Sequence, residues 1–305
     1  MPVRESIGFL LYVLSWCCIL SGMNKRIVSK PLCEIVEKYI NSSREAVGKG
    51  RFVVLQVGDD KGSTKYIELK KKAGDKYGVK IEHICLDSGI SEDQLYKVVE
   101  DLNLDLTASG IMLQSPIPGV NLESVANKIF PSKDFDGMSK NAIVLPAVVV
   151  SMLHYLEYIF LSQSLIEFEK LLYSKSYFEK RDGLLRDSLI GKRICIVNDS
   201  IILGKPMAKY FLSLGLAVDV CNKYTKDIAV FTKNADVLIT ATGVSNLIKG
   251  GIIKPGVMIL DAGYPDGDVE VSSIEDKCQF YSPVPGGVGP LTVVSLFENI
   301  CRLNK

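Results

Sequence analysis

Histidine is nearly absent from this chain: its 305 residues include only His83 and His154, far apart in sequence. So small a supply argues against a His-dependent catalytic triad and against a zinc centre, and no bound metal is expected. The eight cysteines (Cys17, Cys18, Cys33, Cys85, Cys195, Cys221, Cys278 and Cys301) show no CxxC spacing. Several sit inside apolar runs such as Arg193 to Val197, so they read as buried free thiols in a reducing compartment. Net charge is also lacking. With 36 Lys and Arg against 35 Asp and Glu, and no long basic run, the chain has no field to hold a polyanion, and nucleic acid is not expected as a partner.

Long apolar runs are missing beyond the first residues. Residues 6 to 24 carry no charge and Gly8 to Leu20 is almost wholly apolar, with Arg4 ahead. Two readings fit this stretch: a secretory or organelle-targeting signal, although no good small-x-small cleavage site follows, or an upstream extension with Met23 as the working start. Nothing else is long and apolar enough to span a membrane.

What the chain does have is the balance of a folded protein, 47% hydrophobic and 23% charged, and a length that suits two domains or one large α/β unit. One stretch, Ser282 to Thr292, is devoted to backbone geometry. Pro283, Pro285 and Pro290 fix φ, while Gly286, Gly287 and Gly289 permit positive φ and close approach. A tight strand-to-helix connection would explain one or two of these residues. Their density points to a shaped loop that presents free amides at the start of a final amphipathic helix, 290–305.

Taken in order, Ile27 to Ile40 suits a helix, and Phe52 to Val57 is a buried strand ending in Gly58-Asp59-Asp60. Ser63 is a candidate N-cap for a helix reaching about Tyr77. Val79 to Leu86 reads as a strand, Ser91 to Leu102 as a helix and Gly110 to Gln114 as a strand, then Leu122 to Ile129 as a helix. Pro146 opens a long helix to about Phe160. Residues 162–187 are charged, aromatic and without strand signals, an insertion expected to be helical in part. A second series follows, with strands at Ile194–Val197, Ala217–Cys221, Ala235–Thr240 and Val257–Asp261 and a helix from Pro206 to Leu214. The alternation predicts an α/β protein of two domains: an αβα domain over 24–150, completed by the last helix, and a Rossmann-like doubly wound parallel sheet over 151–289. The active cleft is expected between them, at the carboxyl ends of the strands.

Tyr66 and Lys70 stand four apart on one helix face. Lys71 and Lys72 follow, and their like charge, together with burial in a cleft, would lower the Lys70 pKa and let it act as a base; the same run also describes a solvated basic helix face. Gln114 is polar at the end of an apolar strand, where a satisfied edge amide is the plainer alternative. Asp136, in a Gly-bounded loop, suits an N–H-rich ring or a simple turn.

The order of these segments is more specific than any one of them. Val57-Gly58-Asp59, Ser63-x-x-Tyr66-x-x-x-Lys70, Gly110 through Gln114-x-Pro116-x-Pro118, Lys133-Asp134-x-Asp136-Gly137, Gly204-x-Pro206-Met207 and Pro283 through Pro290-x-Thr292 together resemble the bifunctional methylenetetrahydrofolate dehydrogenase/methenyltetrahydrofolate cyclohydrolase family. The resemblance runs from about Lys25 to Cys301, apart from the insertion. It implies oxidation of 5,10-methylene-tetrahydrofolate with NADP as hydride acceptor, then hydrolysis to 10-formyl-tetrahydrofolate, within the one-carbon metabolism that serves purine biosynthesis. Lys70 matches the catalytic lysine, Tyr66 would stack on the folate, Gln114 would hold Lys70, and Asp136 would bond the pterin. Pro283, Gly286, Gly287 and Thr292 would close over substrate, and Ser200, Gly204, Pro206, Lys223, Thr242, Gly243, Asp261 and Gly263 would form the cofactor side. A homodimer is also implied.

Two departures from the family stand out. Asn198 and Asp199 occupy positions where the family has Gly-Arg/Ala, so NAD or weaker binding is a second expectation, with Lys223 as a compensating charge. Val144-Leu145-Pro146 replaces Cys-Thr-Pro. The alternatives to the bifunctional enzyme are a cyclohydrolase with little dehydrogenase activity and a folate-binding protein without turnover.

Overall fold

The computed structural model describes residues 25–43, 50–162, 164–174 and 177–304, so both readings of the uncharged N-terminal stretch lie outside the described residues. The chain enters as the short extended segment Lys25–Ile27, then forms α1 (Lys30–Ser42). The helix begins later than its apolar pattern suggests, because Pro31 takes its first turn and Ile27 is used elsewhere.

The first domain is a parallel sheet of β1 (Arg51–Val57), β2 (Lys80–Leu86) and β3 (Ala108–Leu113) in the order β2-β1-β3. Its crossovers are α2 (Lys61–Tyr77) and α3 (Glu92–Leu104). The central strand is apolar almost throughout because both of its faces are covered. Helix α3 starts on a capping box, with Ser91 and Gln94 satisfying each other's backbone amides. Helix α2 corrects the expected cap: Asp60 is the N-cap, its Oδ2 accepting from the Ser63 amide at 2.6 Å, and the Ser63 hydroxyl turns inward. A short α4 (Leu122–Ala126) stops three residues before its predicted end.

Helix α5 (Ala147–Leu161) leaves the first domain on Pro146. The insertion forms α6 (Leu165–Tyr173) and α7 (Tyr177–Leu189), packed on α5 and on each other. The second domain is again all parallel, in the order β5-β4-β6-β7-β8: β4 (Ile194–Val197), β5 (Val218–Cys221), β6 (Val237–Thr240), β7 (Met258–Asp261) and β8 (Phe280–Tyr281). Helix α8 (Gly204–Ser213) links β4 to β5 and starts two residues before Pro206; the short α9 (Ala229–Thr232), a 3-10 turn (Gly250–Ile252) and α10 (Val271–Ile274) lie in the next three connections. The last helix, α11 (Val288–Leu303), lies against α1, α2 and α5. It starts at Val288, so Pro290 falls inside its first turn.

Two features hold the domains together. Lys25–Ile27 adds to the open edge of β8, with Ile27 N donating to Tyr281 O at 3.0 Å and Tyr281 N to Lys25 O at 2.8 Å. One apolar cluster also runs from Phe52 and Val54 through Leu153 and Tyr155 of α5 to Ile196 and Phe211. Helix α5 is thus a common wall for both sheets. Among the described residues, no single helix is long and apolar enough to cross a membrane.

Candidate active site

A cavity of about 310 Å³ opens where the carboxyl end of β3 meets α2, α5 and α11. Tyr66, Lys70, Gln114, Asp136 and Thr292 line it from the first-domain side, and Ile202 and Tyr264 from the second. Lys70 points off the inner face of α2, and its Nζ donates to Gln114 Oε1 at 2.7 Å and lies 3.4 Å from Met112 Sδ. Gln114 in turn donates through Nε2 to Ser115 O at 3.0 Å, and Ser63 Oγ donates to the same carbonyl at 3.2 Å. The amide therefore has only one orientation in which both of its ends are used, and that orientation directs its oxygen at the lysine.

Burial tunes the pair. Lys70 is only 7% exposed, and loss of hydration pulls its pKa down to about 8 against an upward pull from Asp136. The neighbouring lysines play no part in this. Lys71 turns outward to Glu68 at 2.9 Å and Lys72 is exposed, so of the two expected causes the like charge is absent and burial alone lowers the pKa. Asp136, equally buried, is pushed up to about 7 by burial first, with Lys70 opposing. Burial thus brings the two groups toward neutral pH from opposite sides. Tyr66 is half-buried, its phenol pushed up by burial, and its ring meets Tyr264 edge-on with centroids 5.2 Å apart.

The Ser282–Thr292 loop contributes unevenly. Thr292 reaches the cavity wall, its Oγ1 donating to Val288 O at 3.0 Å and 3.1 Å from Ser151 Oγ. Pro283, Gly286 and Gly287 do not line the cavity. Gly286, at φ +97°, accepts at its carbonyl from Ser29 N at 2.9 Å, and a Cβ on Gly287 would lie 2.3 Å from Pro283 O. Their glycines are required by the shape of the turn.

In the second domain the chain leaves β4 toward β5 on one side and returns to β6 on the other, which opens a crevice between the loops after β4 and β6. Asn198 ties these loops, donating through Nδ2 to Ala241 O at 2.7 Å. Its Oδ1 accepts from Ser200 N, Ser200 Oγ and Gly204 N at 2.9, 2.6 and 3.0 Å. A Cβ on Gly204 would lie 2.0 Å from Asn198 O, so helix and strand pack here as closely as in a dinucleotide turn. Gly243, at φ +73°, and Thr242 are held by Asp268, which accepts from their amides at 2.9 and 2.6 Å. Ser200 and the start of α8 belong to the first of these loops and Thr242 to the second, and two amides of the first loop are taken by Asn198.

Asp261 and Gly263, expected on the cofactor side, shape the loop that follows β7. Asp261 is buried and accepts from the amides of Gly263, Asp268 and Val269 at 2.8, 2.9 and 3.1 Å. A Cβ on Gly263 would strike the Asp268 carboxylate. Pro206 sits in the first turn of α8, and Lys223 lies exposed with its Nζ 5.1 Å over the Tyr224 ring.

Two contributors escaped the sequence. Tyr264 could have been suspected from its place just beyond a strand end. Asp268, fully buried, bonds loops far apart in sequence, and no local pattern announces that. Among the described residues, no cluster of His, Cys, Asp and Glu could hold a metal ion.

Two parallel α/β domains around a cleft with a buried lysine, one of them carrying a dinucleotide-type crevice, define a two-domain nucleotide-dependent enzyme. Residues 23–136 match the catalytic domain of tetrahydrofolate dehydrogenase/cyclohydrolase and residues 184–305 match its NAD(P)-binding domain, so the chain belongs to that family. It is 32% identical over 292 residues to the bifunctional protein FolD of Clostridium tetani, covering 91% of this chain and 97% of the relative. It is 35% identical over 265 residues to that of Hydrogenobaculum sp., covering 84% and 90%. The crystal structure of the bifunctional enzyme FolD-methylenetetrahydrofolate dehydrogenase/cyclohydrolase from Campylobacter jejuni superposes with a TM-score of 0.73 at 28% identity, covering 90% of this chain and 96% of that one.

Proposed function

We propose that the chain oxidises 5,10-methylene-tetrahydrofolate to the methenyl cation and hydrolyses that cation to 10-formyl-tetrahydrofolate in the same cleft. The observation that carries this reading is the Lys70–Gln114 hydrogen bond in a cavity shared with Asp136, which leaves an amine of lowered pKa beside a ring-binding carboxyl. A dinucleotide bound by the second domain would supply the hydride acceptor. Every other step falls to side chains of this chain. Tyr66 gives the folate a face to stack on, and parting its ring from Tyr264 opens room between them. Asp136, with a proton near neutral pH, both donates to and accepts from the N–H-rich pterin edge. Lys70 in its neutral form takes a proton from the water that attacks the methenyl carbon. A permanently charged group would repel the cationic intermediate, whereas a desolvated amine adds no such penalty. Gln114 fixes the amine on the cavity side.

One observation favours a second reading, a cyclohydrolase with a weaker dehydrogenase: Asn198 Oδ1 holds two amides that would otherwise be free for phosphate oxygens. The insertion does not support a binding protein with a blocked cleft, since none of the described residues within 162–187 lines the cavity. Assembly as a homodimer is part of the proposal, by family likeness, and light scattering on the purified protein tests it. The test of the function itself is to follow methylene-tetrahydrofolate oxidation and methenyl-tetrahydrofolate hydrolysis in parallel. Both activities are expected. Hydrolysis alone would select the second reading, and neither would overturn both.

A further inference from the structure

The crevice of the second domain carries a charge of the wrong sign for one of its two candidate dinucleotides. Asp199 leaves the end of β4 exposed to solvent, and its Oδ2 accepts from Asn222 Nδ2 at 3.0 Å. Asn222 is the residue just past β5, and it is anchored on its other side. Its Oδ1 accepts from Tyr224 N at 3.0 Å and its amide donates to Thr225 Oγ1, also at 3.0 Å. A doubly wound fold seats the adenosine ribose at the end of the second strand of its first βαβ unit, where an acidic side chain takes the 2′-hydroxyl. Here the acid comes from the first loop, and Asn222 holds it over that strand end. Asp199 Oδ1 has no protein partner among the described residues. The nearest cation in sequence, Lys223, lies on the Tyr224 ring.

We propose that this chain takes NAD in preference to NADP, with Asp199 as the selecting residue. The inference rests on the dehydrogenase reading above. Asp199 accepts from the ribose 2′-hydroxyl of NAD, a hydrogen bond to a charged acceptor. A 2′-phosphate removes that donor and sets a charge of about −1.5 to −2 against the carboxylate. For two like charges about 4 Å apart near a surface the discrimination is about tenfold or more, and salt weakens it. Tyr224 and Asn222 position the carboxylate and do not carry the selection themselves.

Calorimetric titration separates this from turnover. NAD, NADP, ADP and 2′,5′-ADP are titrated into the full chain and into Asp199→Asn and Asp199→Ser; the residue is exposed, so neither change disturbs the core. NAD is expected to bind the natural sequence about tenfold more tightly than NADP, with ADP preferred over its 2′-phosphate in the same sense. Both variants should bring the ratio to within about threefold, by weakening NAD and strengthening NADP, and high salt should narrow the gap in the natural sequence only. Equal or tighter binding of NADP by the natural sequence, a ratio unchanged in the variants, or no binding of either dinucleotide would overturn the proposal. Absence of folate turnover alongside a clear NAD preference would instead sink the functional reading and leave the nucleotide inference standing.

Discussion

Lys70 earns its chemistry from where α2 places it. The residue four positions after Tyr66 falls on the helix face that looks at the end of β3, so its amine is withdrawn from water while Lys71 and Lys72 remain outside. Such a lysine makes hydrolysis depend on pH in a defined direction. The neutral form accumulates as pH rises, so the methenyl hydrolysis rate should climb and bend near pH 8, where the amine loses its proton. Asp136 raises the Lys70 pKa, so Asp136→Asn should move that bend to lower pH as well as slow the reaction. A pH–rate profile of both proteins checks this, and a bend that stays in place would show that the carboxyl does not face the amine. The four residues of this constellation are legible as a spaced set, and so is burial in a cleft as a cause of the lowered pKa; the share expected from the neighbouring lysines is what the structure removes. Spacing shows that Lys71 and Lys72 are near, and only the fold shows that they turn away.

Elements were read more reliably than their ends. Strands such as Ile194–Val197 declare themselves because a parallel sheet buried on both faces needs an unbroken apolar run. Helix starts were less legible: Asp60 and Ser63 are both good caps, and the Ser115 carbonyl, distant in sequence, draws the serine hydroxyl inward. Strand β8 is two residues long, too short for any pattern, and exists because Lys25–Ile27 and β7 bracket it. The turn from β4 to α8 has a sharper requirement. In Gly204→Ala the added methyl meets the Asn198 carbonyl at 2.0 Å, and backbone cannot swing aside as a side chain can. The variant should lose about 1–3 kcal/mol of stability and weaken dinucleotide binding, read by denaturant melts and calorimetry. An unchanged melt with full nucleotide affinity would mean the loop is looser than the geometry implies.

At the scale of the molecule, the two domains and the insertion meet around a buried charge cluster that composition alone had made unpromising. His154 on α5 lies 2.7 Å from Glu157 Oε2 through Nδ1 and 2.7 Å from Glu298 Oε2 of α11 through Nε2, with Arg181 of the insertion 3.9 Å from Glu157. Burial works against the charged imidazole, but Glu298 and Glu157 outweigh it and raise its pKa. Burial likewise opposes the Glu298 carboxylate, and Arg302 and His154 reverse that and lower it. The histidine's contribution to stability is therefore complete below its unfolded pKa of about 6.5 and is lost as pH rises through the folded value. The glutamate's contribution is present above about 4.5 and is lost as pH falls toward its depressed value. Thermal melts across pH should peak between those limits and fall on the alkaline side. His154→Gln should remove the alkaline fall and lower stability by about 3–5 kcal/mol, because two buried carboxylates lose the cation they share while Arg302 stays beside Glu298 and Arg181 stays near Glu157. An alkaline slope kept by the variant would place its cause elsewhere. The two histidines were too few to suggest a catalytic role, and this one serves the junction of the domains.

Lys70→Met removes the buried amine from the cleft while keeping the apolar bulk of the side chain, and so isolates its part in the hydrolysis. Methenyl-tetrahydrofolate hydrolysis and folate binding would be measured together on the natural sequence and the variant. Hydrolysis should fall by a factor of about 10²–10⁴ with folate still bound. Hydrolysis within a few fold of the natural rate, in a variant that binds folate equally well, would contradict it.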